Sequence, residues 1–216
     1  MASRPKQAEP RPQPRLYLVT PEIADAADFA APLAAALAAG DVAAVLLRLA
    51  PGDERSLTNC VKELAPLVQK HEAALLLDGH PELVARGGAD GAHLTDVAAF
   101  EAAVGTLKPE RIAGCGGLAT RHDAMLAAER DSDYVMFGDP DDHGERAAFA
   151  AIEERVTWWA EVFEAPCVAY AGSLEEVAPL VKAGADFIAL GDWMWRDPAA
   201  ILAAVNRDLV LPESVT

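Results

Sequence analysis

What this sequence has little of narrows its function first. It carries three cysteines, Cys60, Cys115 and Cys167, an odd number at wide and irregular spacing. That supports neither a disulfide framework nor a zinc knuckle, and a reducing cytoplasm is the expected setting. Basic residues are scarce: 18 Lys and Arg against 34 Asp and Glu leave a formal net charge of −16. A surface that acidic repels a phosphate backbone, so nucleic acid is not an expected partner. Long apolar runs are also missing. The Ala-rich stretches are broken by Asp, Glu, Arg and Gly before they reach the roughly 20 residues that span a bilayer. The N-terminal stretch has no signal-peptide apolar region, and no membrane association is expected. No Gly-x-Gly-x-x-Gly turn follows the first apolar run, so a nucleotide cofactor is not expected either.

What is present is a globular composition, 52% hydrophobic and 24% charged over 216 residues, enough for one sizeable core and one domain. Residues 1–15 hold Pro5, Pro10, Pro12 and Pro14 among Arg4, Lys6, Arg11 and Arg15. Such a segment cannot form a helix or bury much apolar surface, and it reads as a disordered basic tail ahead of a domain at 16–216. A docking arm for an acidic surface is the functional alternative.

From Leu16 onward, short apolar runs alternate with helical patterns. Strands are expected at 16–20, 43–49, 73–77, 91–94, 111–114, 134–137, 167–169 and 187–190. Helices are expected near 24–39, 57–70, 81–86, 97–104, 121–129, 147–162, 174–182 and 198–209. Eight strand–helix units in a chain of this length predict an α/β fold, a single (βα)8 TIM barrel whose doubly buried strands read as short Val/Ile/Leu/Ala runs. An open doubly wound sheet is the runner-up. In the barrel, chemistry belongs at the C-terminal ends of the strands, which here are Thr20, Arg48, Asp78, His93 to Asp96, Gly114 to Gly117, Gly138 to Arg146, Gly172 and Gly191 to Trp193.

Each junction has a functional and a plainer reading. Arg48 could clamp a phosphate with its planar fork, or pair with a neighbouring carboxylate. Asp78, His80, His93 and Asp96 could hold a divalent metal, or serve packing and hydrogen bonding. Asp141, Asp142, His143 and Glu145 could bind a cation or act as acid and base, or form a solvated loop. Cys115 reads as a small buried residue, and Gly114, Gly116 and Gly117 read as room for a backbone to approach a ligand. Trp158–Trp159 sit mid-helix. Trp193 and Trp195, if extended, share one side and could stack on a planar ring or cover a dimer interface.

Four stretches, Leu16-Tyr17-Leu18-Val19-Thr20, Gly88 to Leu94 (GADGAHL), Asp133 to Gly138 (DYVMFG) and Gly184 to Ile188 (GADFI), resemble in order and spacing the thiamine phosphate synthase family, which includes the TenI-type thiazole tautomerases. The resemblance implies a TIM barrel that couples an aminopyrimidine pyrophosphate with a thiazole phosphate in thiamine biosynthesis, releasing pyrophosphate. It also implies small phosphorylated ligands, Mg2+ and a homodimer or larger assembly. Carried over position by position, Arg48 is what remains of a Gln-x-Arg-x-Lys pattern, and it would meet the pyrophosphate. The family's Asn-Asp falls on Asp78-Gly79 and its second metal-binding Asp on Ala98, so a metal would need the shifted pair Asp78 and Asp96. A pyrophosphate-contacting Ser falls on Gly116 and the tautomerase His on Leu118. A loop Lys beyond Gly138 has given way to carboxylates, a Gly pair has become Ala171-Gly172, and a Ser falls on Asp192. The implied catalytic residues are Arg48 and Asp78. The implied phosphate-binding positions are Arg48, Gly116, Gly138, Gly172 and Gly191. The expectation is a synthase-like transferase with a degenerate site. The alternative is a repurposed non-catalytic or TenI-like barrel that binds a small phosphorylated ligand or a protein partner.

Overall fold

The structure, a computed structural model, describes residues 12–141 and 143–209. Residues 1–11 of the expected tail and Asp142 lie outside the described residues. Eight parallel strands close on themselves in sequence order, β1-β2-β3-β4-β5-β6-β7-β8, with β1 paired to both β2 and β8. The strands are β1 (Arg15–Ile23), β2 (Val42–Leu49), β3 (Ala74–Asp78), β4 (Gly91–Leu94), β5 (Ile112–Cys115), β6 (Tyr134–Phe137), β7 (Cys167–Ala171) and β8 (Phe187–Leu190). The helices that follow them are α1 (Ala26–Ala39), α2 (Glu54–Gln69), α3 (Val84–Gly87), α4 (Val97–Leu107), α5 (Arg121–Glu129), α6 (Phe149–Val162), α7 (Leu174–Ala183) and α8 (Pro198–Asp208). This is the (βα)8 TIM barrel read from the sequence. No helix of the described residues is long and apolar enough to cross a membrane.

Side chains alternate along each strand, so the strands serve two cores. Leu16 and Leu18 of β1 face the helix ring, where they join Leu33, Leu64, Phe100 and Trp159. Tyr17 and Val19 face the barrel interior, with Leu46, Leu76, Tyr134, Met136, Val168 and Tyr170. The interior is thus filled rather than hollow, and a cavity can open only at the rim above these side chains.

The N-terminal rim is fastened by a repeated device. Asp90, Asp133 and Asp186 each stand just before a strand. Each accepts, at 2.8 Å, the backbone N–H of Leu75, Ala113 or Cys167 at the start of the preceding strand. The backbone N–H of the same Asp donates to the carbonyl of that same residue. The Asp of the Gly-Ala-Asp text is therefore a strand clamp.

Boundaries moved where a cap decided them. Asp53 accepts from the amides of Arg55 and Ser56 and so starts α2 three residues before its first apolar residue, Leu57. The segment expected as one helix at 81–86 divides into a tight 3-10 turn at Pro81–Leu83 and the short α3. The segment Trp193-Met194-Trp195, whose rings would share one side if it were extended, is a 3-10 turn, Asp192–Arg196. Met194 is buried, the Trp193 indole N–H donates to the Ala171 carbonyl at 2.8 Å, and the Trp195 indole N–H donates to the Val19 carbonyl at 2.7 Å. The two rings latch this turn across β7 and β1.

Candidate active site

The C-terminal strand ends surround a cavity of about 420 Å³ whose polar lining comes mostly from Glu22, Arg48, Asp78, His93, Asp139, Tyr170 and Asp192. Glu22 is brought inward because β1 slips register between Val19 and Glu22, so that Glu22 pairs with Arg48 across β1 and β2. The Arg48 backbone N–H donates to the buried Thr20 hydroxyl at 3.0 Å, which fixes the strand end that carries the guanidinium.

Arg48 stands among three carboxylates, Asp192 at 3.6 Å and Glu22 and Asp78 at 3.8 Å each. All three lie beyond hydrogen-bond distance. They supply electrostatic support without filling the guanidinium fork, whose side chain keeps 34% of its surface open. Both readings of Arg48 are thus present in one geometry: it is ion-paired, and its planar donors remain able to turn to an anion.

Arg146 differs. Its Nε donates to the Gly138 carbonyl at 2.7 Å and its Nη2 to the Tyr170 carbonyl at 2.8 Å, both Nη groups meet Glu176, and the guanidinium lies 5.3 Å from the Tyr170 ring centre. It ties the loop after β6 to β7. The same Glu176 accepts the Gly172 amide at 2.6 Å.

The phosphate-binding glycines are therefore unequal. The Gly172 amide is engaged by Glu176, and the Gly116 amide continues the strand ladder to the Leu94 carbonyl at 2.8 Å. Gly138 adopts φ 84°, a left-handed conformation in which its carbonyl meets Arg146. Gly191 opens the turn that carries Asp192, and a side chain there would collide with the Tyr170 hydroxyl. What Gly116 contributes is space: a Cβ at this position would lie 2.5 Å from His93 Nε2 and 2.6 Å from Asp139 Oδ2.

Burial tunes several of these groups. His93 is buried and neutral, its imidazolium pKa pushed down to about 4. Burial also raises the Asp139 carboxyl, against the opposing pull of the Gly117 amide, Arg146 and Arg155. The Tyr170 hydroxyl is held up by burial and then by Asp192. Cys115 is buried, with its thiol pushed up to about 12 by burial and then by Asp139, so it is no nucleophile.

The proposed metal pair is divided between two neighbouring hollows. Asp78 faces Arg48, whereas Asp96 caps α4 by accepting the Ala99 amide at 2.7 Å and lines a neighbouring hollow with Gly117, Leu118 and Arg155. Among the described residues, no group of three or more His, Cys, Asp or Glu side chains is gathered to hold a metal ion. The pair Asp78 and Asp96 does not fit a magnesium held by the protein alone. In the loop, Asp141 accepts the amides of His143 and Glu145 at 2.9 Å each, which makes it a turn-former. His80 pairs with Glu82 at 3.0 Å, on the exposed side of the 3-10 turn.

Glu22, Tyr134 and Tyr170 are cavity or sub-cavity residues not singled out from the sequence, and Asp139 fell within the stretch Gly138 to Arg146 without being weighed by itself. One signal could have found some of them, though not Glu22, which strict alternation from Tyr17 and Val19 would leave on the outer face. A tyrosine on the interior face of a barrel strand needs a partner for its hydroxyl.

The family model described as thiamine monophosphate synthase matches residues 16–192. A protein from Rhodospirillum centenum named thiamine-phosphate synthase is 42% identical over 194 residues, covering 88% of this chain and 94% of that protein. One of the same name from Hyphomonas neptunium is 37% identical over 211 residues, covering 92% and 95%. Among solved structures, the thiamine phosphate pyrophosphorylase from Pyrococcus furiosus superposes with a TM-score of 0.72 at 19% identity, covering 91% of this chain and 96% of that one. The 3-hexulose-6-phosphate synthase from Salmonella typhimurium superposes with a TM-score of 0.69 at 16% identity, covering 90% and 98%. At such identities the two structures speak for the barrel alone.

Proposed function

The chain belongs to the thiamine monophosphate synthase family, and on that premise we propose that it is a thiamine-phosphate synthase, coupling an aminopyrimidine pyrophosphate with a thiazole phosphate and releasing pyrophosphate. The observation that carries this reading is Arg48, a guanidinium aimed into the rim cavity and supported by Glu22, Asp78 and Asp192 without being saturated by them. As the pyrophosphate leaves, negative charge grows on its oxygens, and a planar cation already oriented toward them stabilises that charge without reorganising. The neighbouring carboxylates hold the fork in place. Asp192 on its own would repel a phosphate, and Arg48 beside it offsets that repulsion. The free, buried cysteines suit a reducing compartment, and we place the protein in the cytoplasm.

The experiment is product formation from both substrates with magnesium, followed by chromatography, in the parent protein and in Arg48→Ala. Turnover in the parent and a loss of about 10²-fold or more in the variant is the expected result. No thiamine phosphate above background would replace the synthase with a repurposed barrel.

A further inference from the structure

Beneath the cavity floor runs a buried row of three polar side chains. The Tyr17 hydroxyl meets the Tyr134 hydroxyl at 2.8 Å, and the Tyr134 hydroxyl meets His93 Nδ1 at 3.0 Å. Tyr134 and His93 also lie nearly parallel, with ring centres 5.7 Å apart. Each hydroxyl has one proton to donate, and burial keeps both tyrosines un-ionised. Tyr17 has no acceptor other than Tyr134 among the described residues. If Tyr134 donated to Tyr17, the Tyr17 proton would be buried without a partner, which is unfavourable. The arrangement that satisfies every proton runs from Tyr17 to Tyr134 to His93 Nδ1. It leaves the imidazole proton on Nε2.

That Nε2 and Asp139 Oδ2 both close on Gly116, too near for a Cβ there, so that they stand side by side, and both residues line the rim cavity. No hydrogen bond or ion pair links His93 to Asp139 among the described residues, and Asp139 is steadied by the Gly117 amide at 2.8 Å. This part of the cavity wall therefore places a neutral N–H donor beside a carboxylate acceptor. A phosphate would suit the first and be repelled by the second. A planar ring nitrogen next to an exocyclic amino group suits both, accepting from His93 and donating to Asp139.

We infer that His93 and Asp139 form a donor–acceptor pair that reads the ring-nitrogen and amino edge of the aminopyrimidine, with Tyr134 and Tyr17 as positioning residues that fix the His93 tautomer. The inference rests on the synthase reading for the identity of the ligand, but the tautomer does not. The pair selects against a pyrimidinone, in which an oxo group replaces the amino group and the adjacent ring nitrogen carries hydrogen, because both hydrogen bonds are then reversed.

The test uses the full chain labelled with 15N-histidine, with long-range 1H–15N correlation spectra and His93→Gln to assign the signal. At neutral pH the expected spectrum shows His93 neutral with its proton on Nε2. Tyr134→Phe mixes the two tautomers and Tyr17→Phe does not, because Tyr134 then has His93 as its remaining acceptor. A proton on Nδ1 in the parent protein overturns the inference whether or not the protein turns over. Competition by the aminopyrimidine alcohol and its oxo analogue then tests recognition. The parent is expected to prefer the amino compound by at least about 10-fold, roughly one hydrogen-bond pair. Asp139→Asn, whose amide can donate or accept, is expected to lose that preference, and Gly116→Ala to raise KM more than it lowers kcat. Equal binding of the two compounds by the parent overturns the recognition role. Correct tautomer and preference without product formation would sink the synthase reading and leave the pair standing.

Discussion

Arg48 and His93 show how differently two side chains at neighbouring strand ends can be held. Arg48 is supported at a distance by carboxylates from three elements, so the shape of its fork should matter along with its charge. Arg48→Lys keeps the cation but loses the bidentate geometry, and initial rates are expected to fall by roughly 10-fold or more, with Arg48→Ala lower still. His93 is defined by burial. Its folded pKa of about 4 lies below the ordinary 6.5, so as pH falls the unfolded chain takes up the proton first. The stability this site supports is full above about pH 6.5 and is lost progressively toward pH 4, by roughly 3 kcal/mol. Urea unfolding of the parent and of His93→Gln at several pH values measures it: the parent should lose more stability than the variant across that window, and parallel curves would refute it. Arg48 and Asp78 were legible as strand-end residues, and both line the rim cavity, because they end apolar runs. Asp139 fell within the stretch Gly138 to Arg146 but was not weighed by itself, because its neighbours in sequence read as a solvated loop and only the fold turns it toward Gly116.

At the scale of elements, polar residues at strand and helix ends set much of the geometry. The Asp clamp recurs ahead of β4, β6 and β8, and each removes a strand-start amide from the list of unpaired groups. Asp186→Ala is expected to cost about 1–2 kcal/mol in chemical unfolding, a charged hydrogen bond to backbone, with KM for both substrates unchanged because the clamp lies at the opposite rim. The 3-10 turn at 192–196 is held by two indole N–H bonds and by the edge-on packing of Trp195 against Phe29, centroids 4.7 Å apart. It carries Asp192, one of the carboxylates beside Arg48. Trp195→Phe keeps the ring and loses the bond to Val19, so it is expected to lower stability by about 1 kcal/mol and to lower turnover modestly by loosening Asp192. A thermal melt together with steady-state kinetics checks both effects. Element existence was readable throughout from apolar periodicity. Whether Trp193 to Trp195 is extended was left open by the sequence, because alternation over three residues does not distinguish a strand from a tight turn whose indoles find carbonyls on two different strands.

For the molecule as a whole, the net charge of −16 means that folding gathers like charges on one small surface. Raising ionic strength from about 0.01 M to 0.15 M shortens the screening length from roughly 30 Å to 8 Å, and the melting temperature is expected to rise over that range. A fall would show that the Arg and Lys ion pairs outweigh the general repulsion. The closed barrel follows from the sequence directly: eight short, doubly buried runs, each followed by a helix, leave few ways to cover both faces. The family was legible for a related reason, since the texts that mark it sit at strand starts and ends where backbone geometry restricts the residue. Which residues share the cavity was decided by tertiary structure. The register slip in β1 brings Glu22 to Arg48, helix capping engages Asp96 at the start of α4, and Gly116 lets His93 and Asp139 approach one another. Local sequence fixes which face of a strand a residue occupies, because the chain alternates with a period of two. Distances between residues on different strands depend on register and closure, and these exist only once the barrel has formed.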